Sequence, residues 1–134
     1  MKSSDIPNEL PIALDDARAL SLECWRLRRL GEHLRDSNTG SGLRHAVRLI
    51  TDTLSKMGIE VLDFAGRTYD PGMTPEVVEV KNDGTLPVGH AIIDETIAPT
   101  VIWRGQVISP GQIIVRRSDE MSQKSNEGMN DQHD

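Results

Sequence analysis

The side chains with the most obvious capacity for chemistry are four histidines (His33, His45, His90 and His133), one cysteine (Cys24) and the adjacent carboxylates Asp94 and Glu95. A zinc site needs three or four nitrogen, sulfur or oxygen ligands converging on one ion. The histidines fall in separate predicted elements with no ligand spacing, so no metal is expected. Cys24 lies on the apolar seam of a predicted helix, where a thiol packs as a small hydrophobe rather than acting as a nucleophile. Asp94 and Glu95 are neighbours on a predicted strand and point to opposite faces, so they cannot act there as a paired acid and base. The glycines form no phosphate-cradling Gly-x-x-x-x-Gly-Lys loop. No enzyme and no cofactor is expected. The remaining option is a binding surface. Trp103, beside the Arg104-Gly105 turn and just after Pro99-Thr100-Val101, is a candidate anchor for a protein partner; the alternative is that it fills a small β-core.

Composition narrows the class. The chain has 134 residues, 37% of them hydrophobic and 27% charged, with two tryptophans, one tyrosine and one phenylalanine. So polar a chain favours an elongated or self-associating architecture over one large core. A lone cysteine makes no internal disulfide and fits a reducing cytoplasm. No apolar run approaches the ~18–20 residues needed to span a bilayer, and the first residues lack the apolar core of a signal peptide, so no membrane association is expected. The net charge is −6. Asp119, Glu120, Glu127, Asp131 and Asp134 against Lys124 place most of that charge after residue 118. No basic nucleic-acid footprint is present; the cluster Arg26, Arg28 and Arg29 reads as a solvated helix face.

The elements follow from periodicity. Residues 1–11, with Pro7 and Pro11, form a flexible arm. Residues 12–57 form a helical region. Its first helix starts close to Ala13, with Asp15 and Asp16 in the first turn, and carries Ala17, Leu20, Cys24, Leu27 and Leu34 at alternating three- and four-residue spacing. Gly31 takes the intermediate slot and marks a close helix crossing. The stretch from Asp36 to Gly42 reads as a connector. A second helix then carries Leu43, Val47, Ile50, Leu54 and Met57, with Gly58 as its stop. Two such helices have more apolar surface than one hairpin covers, which points to a dimeric four-helix bundle; the alternative is that the hairpin packs on its own β-module.

From Ile59 the period becomes two, and residues 58–117 form a small all-β module. Strands are expected at Ile59–Phe64, at Glu76–Val80, and as short antiparallel runs between Gly89 and Val115 that complete one sheet. Asp70-Pro71-Gly72 and Asn82-Asp83-Gly84 read as turns. Residues 118–134 read as a disordered acidic tail. The fold class expected is α+β, a helical hairpin followed by a β-module.

This order of parts resembles GrpE, the nucleotide exchange factor of DnaK-class chaperones. Met57-Gly58-Ile59-Glu60-Val61 is similar to the family's Gly-Val-Glu segment, and Tyr69-Asp70-Pro71 with Glu76-Val77-Val78 to its Phe-Asp-Pro and His-Glu-Ala-Val segments, with Thr74-Pro75 beside Glu76 in place of the histidine. Glu95-Thr96-Ile97, Gly105, Val107-Ile108 and Ile113-Ile114-Val115 resemble its closing strands. The chain looks like a divergent, N-terminally shortened member. Thr100-Val101 stands where the family has Gly-Tyr, and Ser109-Pro110-Gly111 where it has Arg-Pro-Ala. The resemblance implies a homodimer joined by Leu20, Cys24, Leu27, Leu34, Leu43, Val47, Ile50 and Leu54. It implies a DnaK-like ATPase as partner, contacted by Glu95, Thr96, Ile97, Pro99, Thr100, Val101 and Trp103, with promotion of ADP release as the outcome. The alternative is a scaffold or adaptor of the same fold without exchange activity.

Overall fold

The computed structural model describes residues 7–34 and 38–118. The expected acidic tail and most of the N-terminal arm lie outside the described residues. Two helices, α1 (Leu14–His33) and α2 (Asn38–Lys56), precede six strands. These are β1 (Ile59–Leu62), β2 (Glu76–Asn82), β3 (Ala91–Ala98), β4 (Thr100–Trp103), β5 (Gln106–Ser109) and β6 (Gln112–Arg117). The chain divides into two compact units between Lys56 and Met57. The fold is α+β, with two helices followed by two small sheets. No described helix is long and apolar enough to cross a membrane.

In the helical unit, Asp15 and Asp16 occupy the first turn of α1, next to the positive end of its dipole. Arg18 reaches back to Asp15 one turn earlier. The two helices run antiparallel. Cys24 Sγ lies 3.6 Å from the Thr51 hydroxyl, and seven residues further along α1, Gly31 meets Leu43 and Arg44 of α2. The expected close crossing at Gly31 is there. A Cβ at this position would stand 3.2 Å from Arg44 Cγ, and Arg44 donates a hydrogen bond to the Gly31 carbonyl.

The connector is shorter than its composition suggests, because α2 starts at Asn38 and takes in Thr39, Gly40, Ser41 and Gly42. Glycine in a helix interior costs ~1 kcal/mol relative to alanine. Gly40 is nevertheless required by packing, since a Cβ there would collide with the Leu34 carbonyl. At the other end, Gly58 adopts φ +85°, the left-handed geometry that follows a helix stop.

The β unit departs from the expected single antiparallel sheet in two ways. It contains two three-stranded sheets, ordered β1-β4-β5 and β2-β6-β3, and β2 pairs with β6 in parallel. The first strand stops at Leu62 and the second runs on to Asn82. The division into two sheets comes from two crossings. Between β3 and β4 the chain changes sheet at Pro99; between β5 and β6 it changes back at Pro110-Gly111. Proline has no N–H to continue a ladder, so pairing stops at both places. The crossings press against each other, and Thr100 Oγ1 donates to the Pro110 carbonyl at 2.7 Å. A second tie runs from Thr96 Oγ1 to Asp63 Oδ1 at 2.6 Å, joining β3 to the loop after β1.

Ile93, Ile113 and Val115 form the buried core, with Phe64, Tyr69, Met73 and Ala91 packed around it. Asp70 and Asp83 close the two expected turns by accepting from the backbone N–H of Gly72 and Thr85.

Candidate functional site

The β4–β5 hairpin carries one of the exposed apolar features of the β unit. Trp103 and Gln106 face each other across a two-residue turn. Both turn residues have positive φ, 47° for Arg104 and 82° for Gly105. This is the geometry that matches the natural twist of paired strands. Asparagine or glycine is the usual occupant of the first position, and an arginine there costs about 1–2 kcal/mol of backbone strain. Arg104 is held by its neighbours: its N–H donates to the Gly58 carbonyl at 2.8 Å, and its guanidinium lies 5.0 Å from the centre of the Trp103 ring. The Trp103 indole N–H donates to the Met57 carbonyl at 3.2 Å.

Trp103 remains 39% exposed and Val107, which pairs with Ile102, 47% exposed. Because successive residues alternate faces, Trp103 and Val107 emerge on opposite sides of the hairpin. The hairpin therefore carries exposed apolar side chains on both faces and an arginine at its turn.

The seven residues carried over as partner contacts do not form one surface. Glu95, Ile97 and Trp103 are exposed, whereas Thr96, Pro99, Thr100 and Val101 are buried. Thr96 and Thr100 spend their hydroxyls on the ties described above, and Pro99 forms the crossing between sheets. These four shape the module from within. Val107 and the strained turn at Arg104 were missed as surface features; the signal in the sequence was Arg-Gly at a hairpin turn where Asn-Gly would be the unstrained choice.

The eight residues assigned to a dimer seam divide as well. Cys24, Val47 and Leu54 are buried in the single chain, so their side chains are not available to a second copy. Leu27, Leu34, Leu43 and Ile50 are half-buried, and Leu20 is 44% exposed. Leu14, Leu30 and Leu49 add exposed apolar surface to the helices.

Asp94 and Glu95 are separated by a bulge in β3. Asp94 accepts from Arg116 Nε at 2.7 Å and lies 3.4 Å from Lys81 Nζ, while Arg116 Nη1 reaches Asp83 at 2.7 Å. The Thr85 hydroxyl and N–H, together with Arg116, hold the Asp83 carboxyl below its ordinary range; the same pairing raises Arg116. Because the folded value of Asp83 is depressed, its contribution to stability is present above the unfolded value of ~3.9 and fades as pH falls through the folded one. In acid unfolding, the stability gap between wild type and Asp83→Asn is expected to narrow below about pH 4. An equal gap at neutral and acid pH would remove Asp83 from the acid response. Among the described residues, no group of three or more His, Cys, Asp or Glu side chains is placed to hold a metal ion.

Comparison with protein-family models and with curated proteins gave no match.

Proposed function

We propose that this chain is a GrpE-like co-chaperone. In this reading it is a cytoplasmic homodimer that binds the nucleotide-binding domain of a DnaK-like ATPase and promotes ADP release. The observation that carries the reading is the β4–β5 hairpin. A hairpin with exposed Trp103 on one face, exposed Val107 on the other and Arg104 at its turn offers anchors to a protein partner, since tryptophan and arginine are favoured at interfaces. The sequence resemblance and the order of helical hairpin and β-module support the same reading. Exposed Leu14, Leu20, Leu30 and Leu49 support helical pairing of two chains.

Exchange of this kind breaks no covalent bond. The factor binds the open form of the ATPase more tightly than the closed form, and a preference of about 10⁴-fold moves a two-state equilibrium from 1:99 to 99:1. An acid–base group is not needed for that.

The test is release of a fluorescent ADP analogue from a purified DnaK-class ATPase. Saturating full-length protein is expected to speed release at least about ten-fold, while Trp103→Ala and Val107→Asp each weaken half-saturation by a comparable factor. In the same preparations, sedimentation across a concentration series should show self-association weakened about ten-fold in Leu20→Glu/Leu30→Glu. Binding without faster release would overturn exchange and leave the adaptor alternative; no binding would overturn both. Self-association of unchanged strength in the double variant would remove the helices from the interface.

A further inference from the structure

β2 has the sequence Glu76-Val77-Val78-Glu79-Val80-Lys81-Asn82, and all seven residues are exposed. It is the outer strand of its sheet, and among the described residues no strand pairs with its far edge. An exposed edge of this length is a template for another strand. Three of its residues are valines, 36%, 51% and 47% exposed at positions 77, 78 and 80.

We propose that this edge is an interface for a second copy of the chain, whose own β2 adds antiparallel to it and joins two three-stranded sheets into one of six strands. The occupant is identified by the order of charges and faces along β2. Its pairing with β6 sets Val77 beside Ile113 and Val80 beside Val115, with a bulge between Val77 and Glu79. Val77 and Val80 therefore share the face of the buried core, while Glu76, Glu79 and Lys81 lie on the other face. Residues directly opposite in an antiparallel pair share a face. One register satisfies this for every residue from Glu76 to Lys81 whose face the β6 pairing fixes, the bulge residue Val78 aside. Glu76 opposes Lys81 of the second copy, Val77 opposes Val80, and Val78 opposes Glu79.

Two-fold symmetry makes each pair occur twice, so the contact carries two Glu–Lys pairs and a cluster of four valines. A slip by one residue sets core-face residues against outer-face residues. A slip by two in either direction sets Glu76 against Glu79 or against Asp83. Like charges directly opposite are unfavourable. Mixed charges that would deter an arbitrary strand thus complement a copy of the same strand.

The apolar side of the contact is already prepared. Val77 and Val80 line one wall of a groove of about 530 Å³ whose other walls include Tyr69, Ala91 and Val115. In the proposed register, Val80 and Val77 of the second copy continue that wall. This contact is separate from the helical pairing proposed above. On a shared axis the two contacts would reinforce one dimer, and on different axes they would link dimers in series. Mass alone does not separate these cases, so the test reads the register.

Full-length protein with Cys24→Ala and Val77→Cys is mixed under mild oxidation with a differently tagged chain carrying Cys24→Ala and Val80→Cys. Disulfides form only where Cβ atoms come within roughly 3.5–4.5 Å, so the mixed 77–80 product is expected to exceed either like-with-like product about ten-fold. Adding Glu76→Lys to both chains should lower its yield several-fold, and Glu76→Lys/Lys81→Glu should restore it. Equal yields of all three products, no cross-link, or a charge swap that fails to restore pairing would each overturn the proposal. Exposed positions carry all the substitutions except that at Cys24, and circular dichroism of each chain checks that the fold is kept.

Discussion

Gly111→Ala is expected to cost the β unit about 3–4 kcal/mol, lowering its unfolding midpoint by 15 °C or more. Two effects act together. Gly111 has φ +84°, where a residue with a Cβ is strained by about 1–2 kcal/mol. The new Cβ would also stand 2.9 Å from the Ala98 carbonyl oxygen, the Pro99 carbonyl carbon and the Thr100 nitrogen. Those are backbone atoms of the opposing crossing between sheets, which cannot rotate away as a side chain would. Movement there would also disturb the Thr100 bond to the Pro110 carbonyl and the bond from Glu76 N–H to the Gly111 carbonyl that starts β2. Gly105→Ala is the control. Its φ is +82° but a Cβ there meets open space, so only the strain of about 1–2 kcal/mol applies. Thermal unfolding of the two variants in parallel decides the matter, and equal losses would mean that the crossing tolerates displacement.

Gly40→Ala is expected to destabilise the helical unit by about 3 kcal/mol or more, read as lost helical signal on urea titration. The built Cβ overlaps the Leu34 carbonyl oxygen and approaches its carbon at 2.6 Å, so the end of α1 and the start of α2 would have to separate. Gly42 lies only two positions further along the same helix, yet a Cβ there meets nothing within 4 Å. Gly42→Ala should therefore stabilise the unit by about 0.5–1 kcal/mol through helix propensity. Two glycines of one helix are thus expected to respond with opposite signs. A shared sign would show that the tight approach at Gly40 relaxes easily.

Most helix and strand positions were legible in the sequence because periodicity and breaker residues act locally. The three-and-four spacing from Ala17 to Leu34 specifies an amphipathic helix whatever it packs against. Gly58 and the Asp70 and Asp83 turns are set by the φ preferences and side-chain bonds of a few adjacent residues. The start of α2 was misplaced because Gly40 and Ser41 read as connector. Their place in the helix depends on the Leu34 carbonyl, which is close only after the chain has turned back. Partner contacts were less legible still, since exposure depends on neighbours distant in sequence. Thr96 is withdrawn by Asp63, and Thr100 by Pro110.

Element types and the change from helix to strand near residue 58 belonged to the sequence alone. Tertiary structure decided that the strands form two sheets, that β2 runs parallel to β6, and which apolar side chains stay at the surface. The physical reason is range. Propensity and turn chemistry are settled among residues a few positions apart, whereas sheet partnership and burial are settled by segments about thirty residues apart, such as β2 and β6.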